Sequence, residues 1–157
     1  MNEEINKELD RIHELQDLLI FEEFNSDTAW DIGNILYERG KREKKIIVIS
    51  IVLNGHKLFY YSFPGTNPSN DQWVMKKENT VNYFFKSSYE VALLMQIKQD
   101  NLSNRYGLSP ERYTASGGSV PIIIKNTGIV GTITISGMTQ EEDHYFITDS
   151  IASYLRK

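Results

Sequence analysis

Two β-rich runs, IIVISIVL (residues 46–53) and HKLFYYSF (56–63), are separated by the dipeptide Asn54-Gly55. Both residues of such a turn take positive φ, which asparagine and glycine tolerate best, so the stretch predicts a β-hairpin. A second hairpin is predicted further along the chain from PIIIK (121–125), Asn126-Thr127-Gly128 and IVGTITIS (129–136). A chain with two such hairpins needs helices to cover the apolar faces of its sheet.

The spacing of apolar residues and the turn residues predict the elements around these hairpins. The predicted segments are a helix over 3–19, a strand over 20–24, a helix from a cap at 25–27 to Gly40, one long helix over 71–98, an irregular segment over 99–118, and a last helix from Gln140. The order α-β-α-β-β-α-β-β-α indicates an α/β (α+β) fold with about five strands. A doubly wound nucleotide-binding fold is disfavoured, because strands and helices do not alternate regularly.

Composition limits the classes of function. The 157 residues suit one domain, and we expect residues 1–157 to form it. The chain has no cysteine, which excludes disulfides and thiolate chemistry, and its three histidines are too far apart in sequence to predict a metal site. A net charge of −4 argues against a nucleic-acid partner. An acidic start and the lack of a long apolar run predict a cytoplasmic chain without a membrane partner.

The last predicted helix carries a histidine on its apolar face. Thr139 and Glu142 fit a capping box, which places the helix start at Gln140. At 100° per residue, His144 shares a stripe with Ile147 and Ile151. Two interpretations stay open: a core histidine with its nitrogens hydrogen-bonded to backbone, or a residue that lines a pocket or a subunit contact. The positive end of the helix dipole favours a neutral imidazole in either case.

Polar residues also fall on the buried side of the predicted helix over 71–98. Lys77 and Ser88 lie there if the helix is unbroken. In the ordinary case the lysine would reach the surface through its long stem, and the serine would bond the carbonyl four residues back. Together they could instead mark a polar cavity. Gly117 and Gly118 precede a strand, where they form either a tight turn or an anion-binding backbone.

Four stretches together resemble a known family: LFYYSFPGTNPSNDQWVMKKENTV (58–81), SSY (87–89), YTASGGSVPI (113–122) and VGTITISGMTQEEDH (130–144). The chain resembles uncharacterised protein family 0303, a branch of the haem-degrading, GlcG-like superfamily. It departs from the family pattern at Tyr83-Phe84-Phe85, where Arg-Phe-Gly is usual, and at Val120, where phenylalanine is usual.

The resemblance implies a profilin-like three-layer α/β/α fold with a five-stranded antiparallel sheet. It also implies a homo-oligomer, either a dimer or a larger ring. The ligand-binding residues it suggests are Trp73, Lys76, Lys77, Ser87, Ser88, Gly117, Gly118 and His144. Catalytic residues are not implied, and haem is the one cofactor that the superfamily suggests.

Three classes of function follow, in order of preference. The first is an oligomeric module that binds haem or another small anionic ligand. The second is a homo-oligomeric scaffold without a small ligand, since the aromatic run of residues 58–61 has the composition of an interface. The third is a haem-degrading or redox enzyme, for which a cofactor would have to supply the chemistry.

Overall fold

The computed structural model describes residues 2–156. Its elements are α1 (Asn2–Asp17), β1 (Ile20–Phe21), α2 (Ser26–Arg42), β2 (Val48–Leu53), β3 (His56–Ser62), α3 (Pro68–Phe84), α4 (Ser88–Lys98), α5 (Leu102–Tyr106), β4 (Ser119–Ile124), β5 (Gly128–Ser136) and α6 (Gln140–Leu155). Within this described part, none of the helices has both the length and the apolar character needed to cross a bilayer.

The five strands form one sheet in the order β1-β4-β5-β2-β3. Both predicted hairpins are confirmed, and Asn54 and Gly55 have the positive φ values (51° and 78°) that the turn requires. The expectation of a fully antiparallel sheet is wrong, because β1 pairs with β4 in parallel. A hairpin forces its two strands to be antiparallel, whereas β1 is joined to β4 by most of the chain and is free to take either direction.

Helices cover both faces of the sheet, which confirms the three-layer architecture. One face carries isoleucines such as Ile49, Ile133 and Ile135, and the core formed there also contains side chains of α2 and α6. Alternate residues point to the other face, which lies under α3 and is rich in serine and threonine. Ser119 and Thr134 are hydrogen-bonded to one another on that side (2.8 Å).

The helix predicted over 71–98 is two helices. Asn67 and Pro68 start α3 earlier than predicted, with Asn67 as the capping residue. Phe85 ends α3 in a left-handed conformation (φ 57°), and Ser87 then caps α4. The region predicted as irregular contains the short helix α5. The side chains that cap these helices are local signals, and the prediction was wrong because it continued one helical pattern through the cap at Ser87.

Candidate functional site

The candidate site lies at the first turns of α6. The capping box is present: the Thr139 hydroxyl accepts a hydrogen bond from the N–H of Glu142 (3.2 Å), and the Glu142 carboxylate accepts one from the N–H of Thr139 (3.3 Å). The cap fixes the start of the helix, so the buried stripe falls where the periodicity predicted. His144 and Ile151 are each 2 % exposed, and Ile147 is fully buried.

His144 is buried between aromatic rings. The ring of Tyr89 on α4 lies 5.1 Å from the imidazole, and the ring of Tyr145 lies 4.8 Å away, centroid to centroid. Neither imidazole nitrogen has a hydrogen-bond partner within residues 2–156, so the bonds to backbone that one interpretation expected do not form. Burial, with a smaller effect from Arg11, lowers the pKa of His144 to about 4. The side chain is therefore a neutral base with two unused nitrogens.

A small cavity of about 10 Å³ adjoins this imidazole. Its walls are contributed by the start of the chain, by β4 and by α6: Ile12, Gln16, Leu19, Val120, Pro121, His144, Thr148 and Ile151. Thr148 is one helical turn beyond His144, and its buried hydroxyl also has no partner in the described part of the chain. Apart from Gln16, His144 and Thr148 the lining is apolar, and the cavity has room for a group the size of one water molecule.

Asp143, the residue before His144, forms a buried ion pair with Lys77. The Nζ atom of Lys77 lies 3.0 Å from Oδ2 of Asp143 and donates to the carbonyl of Ile135 (3.1 Å). The lysine is only 4 % exposed, so it does not reach the surface. Burial raises the pKa of the Asp143 carboxyl, although Lys77 acts in the opposite direction. The pair joins α3 to α6 across the end of β5.

Gly118 makes room for this pair. Its φ is 134°, and a Cβ atom there would lie 2.6 Å from Nζ of Lys77 and 3.0 Å from Cβ of Asp143. Only glycine fits such an approach without displacing its neighbours. The N–H of Gly117 donates to Oε1 of Gln140 (3.0 Å), so this amide has an internal partner rather than a free position for an anion.

Ser87 and Ser88 make hydrogen bonds that hold the start of α4 in place. Ser87 caps α4 by accepting from the N–H of Glu90 (3.2 Å). Ser88 accepts from the N–H of Ser119 (3.0 Å) at the start of β4, not from its own helix. One interpretation expected its hydroxyl to donate to the carbonyl four residues back, but the hydroxyl donates instead to the carbonyl of Ser119 (3.4 Å). Ser87 therefore fixes where α4 begins, and Ser88 holds that end of the helix against β4.

Trp73 and Lys76 lie on the outer side of α3. Trp73 is 42 % exposed, and Nζ of Lys76 sits 4.9 Å from its ring centre. The predicted ligand residues thus separate into a pair on the outer side of α3, with Trp73 exposed and Lys76 half-buried, and a buried group that contains Lys77, Gly118 and His144.

Three parts of the site were not predicted from the sequence: Asp143, Thr148 and the contribution of α1. Asp143 is not among the predicted ligand-binding residues, because its partner Lys77 is distant in the chain. Thr148 follows His144 by four residues, a spacing that places both on one helix face and could have identified it. The contribution of α1 had no local signal, because helical periodicity does not indicate which surface a helix covers.

The chain matches the sequence model described as haem degrading protein HbpS-like over residues 24–152. A UPF0303 protein of Serratia proteamaculans (strain 568) is 42% identical over 151 residues, which cover 96% of this chain and 94% of that protein.

Solved structures agree with the sequence match. The crystal structure of the Ybr137w protein has a TM-score of 0.87 at 25% identity and covers 94% of this chain and 87% of that one. The crystal structure of the PduOC:heme complex has a TM-score of 0.68 at 18% identity, covering 85% and 95%, and shares the fold. This chain therefore belongs to the UPF0303 family, within the HbpS-like haem-degrading superfamily.

Proposed function

We propose that the chain is a small-ligand binding module that holds its ligand at His144. The observation that carries this proposal is the set of three buried polar atoms at one cavity that lack partners within residues 2–156: both nitrogens of His144 and Oγ1 of Thr148. Each such atom costs about 1–3 kcal/mol in a folded protein. A ligand that bonds to them would recover part of that cost.

The chemistry of the imidazole indicates the class of ligand. A neutral imidazole accepts a hydrogen bond or binds a metal through its free lone pair. Histidine is also a common axial ligand of haem iron. The HbpS-like family and the similarity of fold to the PduOC:heme complex make haem the first ligand to test.

The donor fits haem, but the closed cavity does not. Pockets for ligands of moderate size occupy about 300–1,000 Å³, and the space beside His144 is about 10 Å³. Haem can reach this imidazole only after a neighbouring element has moved, and α1 supplies the outer wall of the cavity.

A ligand recognised mainly by its negative charge is less well supported. Lys77 is paired with Asp143, and the N–H of Gly117 is bonded to Gln140. An anion at either group would first have to displace an internal partner, and breaking the buried pair would leave a carboxylate without its counter-charge.

The test is a haem titration of the purified protein, followed by absorbance near the Soret band. We expect saturable binding in the wild type and in His56→Ala, which removes an exposed histidine. We expect His144→Ala to weaken binding at least tenfold and to change the absorbance maximum. Binding that is unsaturable, or equal in His144→Ala, would reject the assignment of haem to this site.

A second candidate function is a homo-oligomeric scaffold, which the edge of the sheet favours. β3 is an edge strand, and an edge offers unpaired backbone groups to another chain. Beside it, Trp30 on α2 is 64 % exposed and contacts the ring of Phe59 (5.9 Å). These aromatic rings form a surface suited to a second copy of the chain.

The oligomer is tested by light scattering coupled to size-exclusion chromatography. If β3 and Trp30 form the subunit contact, Trp30→Glu should reduce the mass to that of a monomer. Trp73→Glu is the matched control on the opposite side of the sheet and should leave the mass unchanged. A monomeric wild type, or the reverse pattern in the two variants, would argue against this interface.

A further inference from the structure

A groove between α2 and α6 lies on the other side of α6 from His144. At 100° per residue, Asp149 and Ser153 lie opposite the helix face that carries His144. The groove has a volume of about 500 Å³, which is in the range of pockets that hold small molecules. The lining side chains that bear on its chemistry are Asn34, Ile35, Arg39, Arg42, Asp149 and Ser150.

Arg39 is fixed in place at this groove. Its Nη1 atom donates to the carbonyl of Phe146 (3.1 Å) and to the hydroxyl of Ser150 (3.2 Å), and its Nε atom donates to Glu43 (2.9 Å). The guanidinium also lies over the ring of Phe146 at 4.2 Å. These contacts hold the flat group in one orientation, and its Nη2 atom has no partner within residues 2–156. A donor held in this way loses little entropy when it binds a carboxylate.

Two opposite charges in the groove are not paired. Arg42 follows Arg39 by one turn of α2, and Asp149 lies on α6, which packs against α2. Both side chains are exposed, and neither forms an ion pair in the described part of the chain. Glu38, which also lines the groove, has Lys41 as its partner (3.7 Å). The groove therefore offers cationic donors on one helix and a carboxylate on the neighbouring helix.

The groove also contains a neutral acceptor and an apolar contact. Nδ2 of Asn34 donates to the carbonyl of Trp30 (2.7 Å), which orients the amide and leaves its oxygen as an acceptor. Ile35, the next residue, is half-buried and lines the same groove. An ammonium group can donate to the amide oxygen, and a short aliphatic side chain can pack against the isoleucine.

We infer that the groove between α2 and α6 binds a zwitterion of the α-amino acid class. The carboxylate of the ligand bonds to Nη2 of Arg39 and to Arg42, and its ammonium group bonds to Asp149. An ion of a single sign would be repelled by one of the two helices, because Arg42 and Asp149 carry opposite charges. A zwitterion complements both. The site does not include His144, so it is independent of the function proposed above.

The test uses molecules that share one aliphatic skeleton and differ in their charged groups. The probe is L-leucine, which carries both charges. 4-Methylpentanoate lacks the ammonium group, and 3-methylbutylamine lacks the carboxylate. Each is titrated into ¹⁵N-labelled protein and followed by NMR, in which the backbone amides of Ser150 and Ser153 and the Nε–H group of Arg39 report on the groove.

We expect L-leucine to shift these signals saturably. Each analogue should bind at least about tenfold more weakly, because it loses hydrogen bonds to charged groups. Equal affinity for L-leucine and either analogue would overturn the zwitterion site. Shifts without saturation, or shifts spread over the surface instead of confined to the groove, would overturn it as well.

Single substitutions then assign the two charges of the ligand. Arg42→Gln and Asp149→Asn should each weaken the binding of L-leucine about tenfold. Arg112→Gln and Glu141→Gln remove exposed charges outside the groove and should leave the affinity unchanged. Asp149→Asn should bind 4-methylpentanoate at least as tightly as the wild type does, because the repelling carboxylate is gone. Unchanged L-leucine affinity in Arg42→Gln or Asp149→Asn would reject the proposal.

Discussion

At the scale of single residues, His144 is held in its neutral form by its surroundings. Its pKa falls from 6.5 to about 4, mainly because burial penalises the charged imidazole. The unfolded chain therefore binds a proton more readily than the folded protein between these two values. Protonation of His144 therefore does not lower the free energy of unfolding above pH 6.5, and lowers it progressively as the pH falls towards 4.

We predict that the free energy of unfolding falls by about 3 kcal/mol more between pH 7 and pH 4 in the wild type than in His144→Leu. Leucine cannot take up a proton, and the other titrating groups are shared by the two proteins, so the difference isolates this imidazole. Urea unfolding at each pH measures it. Parallel pH profiles would show that protonated His144 is tolerated in the folded state.

The Lys77–Asp143 pair yields a second prediction at this scale. Lys77→Met should lower the free energy of unfolding by about 3–5 kcal/mol, because it leaves a buried carboxylate without its counter-charge. Lys76→Met, one position earlier and half-buried, should change it by less than about 0.5 kcal/mol. The double variant Lys77→Met/Asp143→Leu should be more stable than Lys77→Met alone. Equal losses in Lys77→Met and Lys76→Met would contradict the role of the pair.

At the scale of elements, the end of α3 explains one departure from the family pattern. Phe85 adopts a left-handed conformation (φ 57°) and is 66 % exposed. The family resemblance places glycine here, which has no Cβ to clash in that conformation. The chain therefore accepts strain at a helix end where a glycine would be relaxed.

Phe85→Gly should raise the free energy of unfolding by about 1 kcal/mol, since the left-handed conformation costs an L-residue about that amount. The matched control is Tyr83→Gly inside the same helix, which should lower stability by about 1 kcal/mol or more. Chemical denaturation of both variants checks the signs. A loss of stability in Phe85→Gly would mean that its exposed ring makes a contact worth more than the strain.

The hairpins and the capping box of α6 were predicted correctly because their interactions join residues that are close in sequence. The start of α3 is also encoded locally, by Asn67-Pro68, and the break between α3 and α4 is encoded by the capping residue Ser87. Element type was therefore easier to predict than the bounds of the helices.

At the scale of the whole molecule, one sheet supports helices on both faces, and we expect the chain to unfold as one domain. Trp30 on α2 and Trp73 on α3 report on opposite layers. We would make two variants, each keeping one tryptophan with the other changed to phenylalanine. In each variant, the urea midpoint measured by fluorescence should equal the midpoint measured by far-UV circular dichroism. Fluorescence that changes before the circular dichroism would indicate that one layer opens independently.

The sequence by itself determined the two hairpins, the start of α6 and the burial of His144, because turn geometry, capping and helical periodicity depend on neighbouring residues. The tertiary structure decided the rest. It brought Asp143 to Lys77, 66 positions away, set β1 parallel to β4, and laid α1 over the histidine. These contacts depend on which surfaces meet when the layers pack, and local patterns carry no information about that choice.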